Sequence, residues 1–184
     1  MDVAVVGDGP GGLSAALFLA KNGLQVTVYG QDKTAMHFAM LSNYLGIPKI
    51  HGSEFQTIAR EQVVAHGGRI EPTRVESVRS KGEHFELLLE GGHSATARYL
   101  ILSEGKSPRL AQQLGLEFDK EQGLSTDKNG KTRLDGVYAI GRLARPSRSQ
   151  AIISAGDGAA AAIDILSLEK GQSFTDWDSP PEAG

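Results

Sequence analysis

The chain has 184 residues, 40% of them hydrophobic, and a formal net charge of −3 at pH 7. That is enough apolar material for one domain with its own core, and the charge gives no electrostatic reason to expect nucleic acid or an acidic membrane. Cysteine is absent, which excludes a structural disulfide, a thiolate zinc site and a cysteine redox relay from these residues.

Val3 to Val6 is a short apolar run of the kind buried on both faces of a parallel sheet. Gly7-Asp8-Gly9-Pro10-Gly11-Gly12 follows with the spacing G-x-G-x-x-G. It opens an Ala-rich stretch, Leu13 to Ala20, with no breaker before Asn22-Gly23, and Val26 to Val28 is a second β-branched run. This reads as a βαβ unit. Gly7 serves the tight turn, Gly9 lets backbone approach a pyrophosphate, and Gly12 lets helix and strand pack closely. The phosphates would lie on the free N–H groups and positive dipole end of the helix. The competing reading is a glycine-rich turn in another α/β fold. Such a unit ordinarily ends in an acid that accepts a hydrogen bond from a ribose hydroxyl. Here the second strand runs into Gly30, Gln31 and Asp32. Either Asp32 does this work from slightly further along, or Gln31 makes a neutral hydrogen bond, or Gly30 leaves room for the adenosine.

Residues 30 to 52 read as a loop around Asn43-Tyr44-Leu45-Gly46-Ile47-Pro48. Ser53 is the expected N-cap of a helix whose inner face is Phe55, Ile58, Ala59, Gln62 and Val63, ended by Gly67-Gly68. A short strand, Arg69 to Glu71, comes next. Val75 to Arg79, Phe85 to Glu90 and Ser94 to Arg98 alternate with period two, and Gly91-Gly92 suits the hairpin turn between the last two. This meander should cover one side of the main sheet, to which Tyr99 to Leu102 returns. Ser107-Pro108 predicts an N-cap with Pro at the first helical position, in a helix closed by Gly115. Leu124 to Thr126 is a candidate strand, Asn129-Gly130 a turn, and Val137 to Ile140 a buried strand. Gln150 to Leu168 is the last helix, with Gly156-Asp157-Gly158 unusual inside it. Residues 1–170 are expected to form one domain and 171–184 a polar tail, with Trp177 docking that tail onto this subunit or a neighbour. Met1-Asp2 leads into the first strand without a basic n-region, and the N-terminal apolar stretch is too short and glycine-broken to span a bilayer. The expectation is therefore a soluble cytoplasmic protein.

With these elements placed, the chain resembles the flavin-binding half of the thioredoxin-reductase-like pyridine nucleotide–disulfide oxidoreductases. The stretches that carry the resemblance are VVGDGPGGLSAALFLAKNGLQVTV, SNYLGIPKIHGSEFQTIAREQVVAHGGRI, YLILSEGKSPR, GLSTDKNGKTRLDGVYAIGR and SQAIISAGDGAAAA. It implies an α/β, Rossmann-like FAD-binding domain: a parallel sheet with flanking helices and a three-stranded antiparallel meander. By this resemblance Gly7, Gly9, Pro10, Gly11 and Gly12 would cradle the FAD pyrophosphate. Asn43 would approach the flavin ring and Val75 the adenine. Ser103, Glu104 and Gly105 would line the cofactor, and Gly141 would pack near the pyrophosphate and ribityl chain. Gln150, Ala151 and Ile152 would put a helix N-terminus beneath the flavin pyrimidine edge. The family inserts an NADPH-binding domain after the segment matching Lys106-Ser107-Pro108, usually with a redox-active cysteine pair. Here Leu110 to Asp119 bridges directly to Gly123. The family's ribityl-binding acid after Gly141 is Arg142, and Gly30 replaces the ribose-binding acid.

Two readings of Arg142 stand side by side: a guanidinium fork on the pyrophosphate, or, with Arg145 and Arg148, a basic loop facing solvent. Asp157 reads best as a helix-surface residue. The histidines show no metal-ligand spacing, so no metal is expected, and no catalytic residue is assigned; His37 and His51 lie in the loop that would reach the flavin. Three functions are weighed. The first is a small FAD-dependent oxidoreductase served by an external electron donor or acceptor protein, with a homodimer as a candidate assembly. The second is a regulatory module that holds FAD or a dinucleotide without turnover. The third is an NAD-binding protein, disfavoured by the match through residues 137 to 158.

Overall fold

The apolar runs pair in parallel, as their two-sided hydrophobicity requires. The structure, a computed structural model, describes residues 1–180. In chain order the elements are β1 (Val3–Val6), α1 (Pro10–Lys21), β2 (Val26–Tyr29), a 3-10 turn (Ala35–Phe38), β3 (Met40–Leu41), β4 (Ile50–His51) and α2 (Gly52–Ala65). Then come β5 (Arg69–Glu71), β6 (Val75–Lys81), β7 (His84–Leu89), β8 (Ser94–Ala97), β9 (Tyr99–Leu102) and α3 (Arg109–Gln113). The chain continues with β10 (Phe118–Asp119), β11 (Gly123–Leu124), β12 (Val137–Ala139), a 3-10 turn (Gly141–Leu143) and α4 (Ala151–Lys170). The main sheet has the order β12-β9-β1-β2-β5, all parallel, with Val3 opposite both Val26 and Tyr99. The meander β6-β7-β8 is a separate antiparallel sheet.

Strand alternation sends each residue to one of two cores. Val3, Val5, Ile101 and Tyr138 face helices α1 and α4, where Leu13, Ala16, Leu19, Ala162 and Ile165 are buried. Ala4, Leu100, Leu102, Val137 and Ala139 face the meander, meeting Val78, Phe85 and Leu87, with Leu110 of α3. Each large aliphatic so buried contributes about 1.5–3 kcal/mol. α4 is long and apolar enough, by length and composition alone, to cross a membrane. In this fold its Gly158, Ala161, Ala162, Ile165 and Leu166 are buried. Its two central carboxylates are both hydrogen-bonded, Asp164 to Tyr138 and Asn129, Asp157 to the turn before the helix.

Several boundaries differ from the sequence expectation. The N-cap of α2 is His51, whose Nδ1 accepts Ser53 N–H, so Ser53 lies inside the helix. Its buried side chains are Gln56 and Val63, while Ile58 and Gln62 are exposed, because Gln56 is spent on a hydrogen bond to the Asp8 carbonyl. Pro108, not Ser107, precedes α3; the helix's free N–H groups at Leu110 and Ala111 donate to the Glu104 carboxylate instead. The strand expected over Leu124 to Thr126 is Gly123–Leu124. The loop 30–52 contains a 3-10 turn and the β3–β4 pair. Trp177 does not dock the tail on this subunit, being 80% exposed. Phe174 does so, packing on the helical core, helped by Lys21 pairing with Asp176 (2.9 Å). Of the tail, residues 181–184 lie outside the described residues.

Candidate functional site

β1 is the point from which the sheet grows in both directions, and ligands in open α/β sheets bind outside the carboxyl ends of the strands at such a switch. A cavity of about 540 Å³ opens there. Three turns build its floor: Gly7 to Gly11 after β1, Ser103 to Lys106 after β9, and Gly141 with Arg142 after β12. The loop after β2 forms the far wall with Lys33 to Met36, Ala39 to Leu41, and Asn43. Ser149, Gln150, Ala151 and Ser154, around the start of α4, close it.

The turn after β1 leaves no room for side chains. Gly7 has φ +104°, and a β-carbon there would overlap the Ser103 carbonyl. A β-carbon on Gly12 would overlap the Gly7 carbonyl and lie 3.1 Å from Val5 Cγ1. Gly12 thus sits below the cavity rather than on its wall, as the helix-packing glycine of the fingerprint should. α1 begins at Pro10, which has no N–H, so Gly11 and Gly12 present free donors; Leu13 N–H already donates to Gly9 O. α4 likewise begins with free donors at Ala151, Ile152 and Ile153, since Ser154 N–H is the first to bond back, to Gln150 O. Both helix N-termini belong to this site, and their dipoles favour negative charge in it.

Arg142 lines the cavity, and its Nε is buried without a hydrogen-bond partner among the described residues. The turn that carries it is pinned by Asp157: Gly141 N–H donates to Asp157 Oδ2 (3.2 Å) and Arg145 Nε to Oδ1 (3.0 Å). Asp157 is therefore no helix-surface residue. Arg145 is tied to it, Arg148 is exposed, and only Arg142 of the three reaches the cavity. Asn43 Nδ2 donates to Gln150 Oε1 (3.0 Å), which fixes the loop after β2 to the start of α4. Glu104 lines the cavity while capping α3. Burial pushes its carboxyl above the usual carboxylate range, against the opposing pull of the Leu110 and Ala111 N–H groups.

Other candidates lie elsewhere. Ile152 is on the first turn of α4 but does not line the cavity. Val75 is buried among the meander residues, and its carbonyl accepts an Arg109 N–H. Gln31 is exposed and outside the cavity lining. Asp32, also outside it, has φ +55° and holds His37 Nε2 through Oδ1 (3.0 Å). The space beside Gly30 is filled, since the Asp8 side chain stands where a β-carbon would go. His37 and His51 are both engaged in the loop, His37 with Ser53 and Asp32, His51 as the α2 cap. Tyr44 packs on Phe55 at 5.5 Å between ring centroids. Sequence reasoning missed Asp8, Lys33, Thr34, Met36, Lys106, Ser149 and Ser154 as wall residues. Of these only Asp8 carried a signal, a charge within an otherwise uncharged glycine motif.

The family model described as pyridine nucleotide-disulphide oxidoreductase matches residues 1–51 and 44–159. Among curated relatives, thioredoxin reductase from Helicobacter pylori is 31% identical over 136 residues, covering 68% of this chain and 42% of that protein. Thioredoxin reductase from Streptomyces clavuligerus is 32% identical over 169 residues, covering 89% and 48% respectively. The chain thus spans less than half the length of either relative. Among solved structures, a thioredoxin reductase from Gloeobacter violaceus superposes with a TM-score of 0.87 at 17% identity, covering 97% of this chain and 98% of that one. This likeness is of fold, with the same parallel sheet and flanking meander that the resemblance implied. On the family match and the Streptomyces likeness together, the chain belongs to the pyridine nucleotide-disulphide oxidoreductase family, on its thioredoxin-reductase-like side.

Proposed function

We propose that this chain binds FAD and serves as a small flavoprotein oxidoreductase that exchanges electrons with an external partner. The observation that carries the reading is the buried, unpartnered Nε of Arg142, on a cavity that also receives the N-termini of α1 and α4. A pyrophosphate would satisfy those donors together. The glycine cradle fits the same group: Gly9 lines the cavity, and a β-carbon there would meet nothing nearer than Thr34 Oγ1 at 3.7 Å, so the backbone is open to a close-lying phosphate. When bound, the flavin supplies two-electron transfer. The chain's own residues hold and orient it. Gly9, Gly11 and Arg142 would face the phosphates, while Asn43 and Gln150, joined to each other, would set the position of the ring. The α4 N-terminus would favour negative charge at the ring's pyrimidine edge.

The need for an external partner rests on residues 103–136, which form α3 and the β10–β11 pair, and on the absence of cysteine from the sequence. A second reading, a module that holds FAD without turnover, draws on the two carboxylates of the cavity. Asp8 is paired with Arg60 and Glu104 caps α3, so neither stands as a free acid or base. Absorption of the purified protein tests the main reading. Flavin bands near 370 and 450 nm, roughly their general positions, are expected. A colourless protein that takes up NAD but not FAD on reconstitution would overturn it.

A further inference from the structure

The proposed function leaves unused the one acid buried within the glycine fingerprint. Asp8 is 5% exposed and lines the cavity. Its Oδ2 accepts Asp32 N–H (2.9 Å) and an Arg60 guanidinium N–H, and its carbonyl accepts the Gln56 side-chain amide. Oδ1 accepts no hydrogen bond from the described residues. It lies 2.6 Å from where a β-carbon on Gly30 would stand, and that β-carbon would also overlap Asp8 Cγ.

Position 30 directly follows the carboxyl end of β2, where dinucleotide-binding folds place the acid that holds the adenosine ribose. Here that place and the fingerprint loop have exchanged parts. The strand end is glycine, and a carboxylate reaches into its side-chain space from the loop. The exchange is mutually dependent, because with Asp8 in place no side chain fits at 30. Arg60 answers the electrostatic cost of a buried carboxylate close to a pyrophosphate. Asp32, the nearer acid in sequence terms, has its carboxylate engaged with His37 outside the cavity lining.

We propose that Asp8 is the ribose-recognition residue of this chain, its Oδ1 accepting a hydrogen bond from an adenosine ribose hydroxyl. This rests on the FAD reading. The test is calorimetric titration of the apoprotein with ADP, 2′-deoxy-ADP and 3′-deoxy-ADP, alongside FAD itself. The wild type should prefer ADP over one of the deoxy analogues by about 10-fold or more, as a hydrogen bond to a charged group warrants. In Asp8→Asn that preference should fall below about 3-fold, since an amide lacks the charge. Gly30→Glu alone should abolish ADP binding, and Asp8→Ala combined with Gly30→Glu should restore the preference from the strand end.

A wild type that binds FAD but ADP and both analogues equally overturns the proposal, whatever the variants do. So does a folded Asp8→Asn with undiminished preference, or a folded double variant that shows none. A wild type that binds neither FAD nor ADP overturns the FAD reading together with this one. FAD binding with no ribose preference that depends on Asp8 overturns this one alone.

Discussion

Gly158 of α4 lies directly on the Gly11 carbonyl of α1: a β-carbon at 158 would overlap that oxygen and stand 3.0 Å from Ala15 N. The two helices whose N-termini meet in the cavity therefore touch backbone to backbone here only because residue 158 has no side chain. Gly156, two residues away, has nothing within 4 Å of its β-position. The paired substitutions should have opposite signs. Gly158→Ala should destabilise by about 1–3 kcal/mol through overpacking, whereas Gly156→Ala should stabilise by about 0.5–1 kcal/mol through helix propensity. Urea denaturation of the two variants checks this; equal effects would mean that the helices do not touch at 158.

Arg142→Ala should weaken FAD retention by about 1.5–3 kcal/mol, the usual size of a hydrogen bond to a charged group. The melting temperature of the apoprotein should hardly change, because Nε has no partner to lose. Fluorescence titration with FAD measures the first and a thermal melt the second. Unchanged affinity would place Arg142 outside phosphate binding.

NADPH mixed anaerobically with the FAD-loaded chain should bleach the flavin slowly or not at all, while dithionite reduces it readily. The segment between β9 and β12 offers α3 and a two-stranded pair where a nicotinamide would need its own fold. Oriented contact between hydride donor and ring is worth up to about 7–11 kcal/mol, and a freely diffusing donor forfeits much of it. Stopped-flow absorbance at the flavin band reads the rate. Fast, saturable bleaching would reveal a nicotinamide site within these residues.

Arg98 bridges Asp2 (2.9 Å) and Glu169 (2.8 Å), and Tyr99 OH also donates to Glu169. The Arg98 guanidinium holds the Glu169 carboxyl below its ordinary 4.5, with burial opposing. A lowered folded value means stability that is fully present above the unfolded value and lost as pH falls through the folded one. Glu169→Gln should therefore cost about 0.5–1 kcal/mol at pH 7, the range for a partly exposed ion pair. The cost should shrink as the pH is taken below 4.5. Melting curves of both proteins at pH 7 and pH 3.5 test the sign.

The glycine fingerprint, the parallel strands and the meander were legible because each obeys a local rule: glycine where backbone must approach, unbroken apolar runs in the sheet, alternation at its cover. The cavity lining was legible where it follows those turns, at Gly7, Gly9, Pro10 and Gly11, Ser103 to Gly105, Gly141, Arg142, Gln150 and Ala151. What could not be read depends on distant partners. Gln56 looks like an exposed helix residue until the Asp8 carbonyl is above it. Asp157 looks like a surface carboxylate until the turn at Gly141 folds back on it. The face of α2 was misassigned for the same reason, since no apolar period marks a polar side chain chosen for one hydrogen bond.

The sheet order bears on how the molecule is made. β1 emerges from the ribosome well before β9, so one of its edges must wait for Tyr99–Leu102, and the cradle above it stays incomplete until Gly158 can close on Gly11. At roughly 5–20 residues per second, the nascent chain spends several seconds with a bare apolar strand edge. No nucleotide can shield it, since Arg142 and the start of α4 follow β9 in the chain. Cofactor supply should then act only on chains synthesised beyond α4, and a translation pause between β2 and β9 would expose this protein to aggregation that added flavin does not relieve.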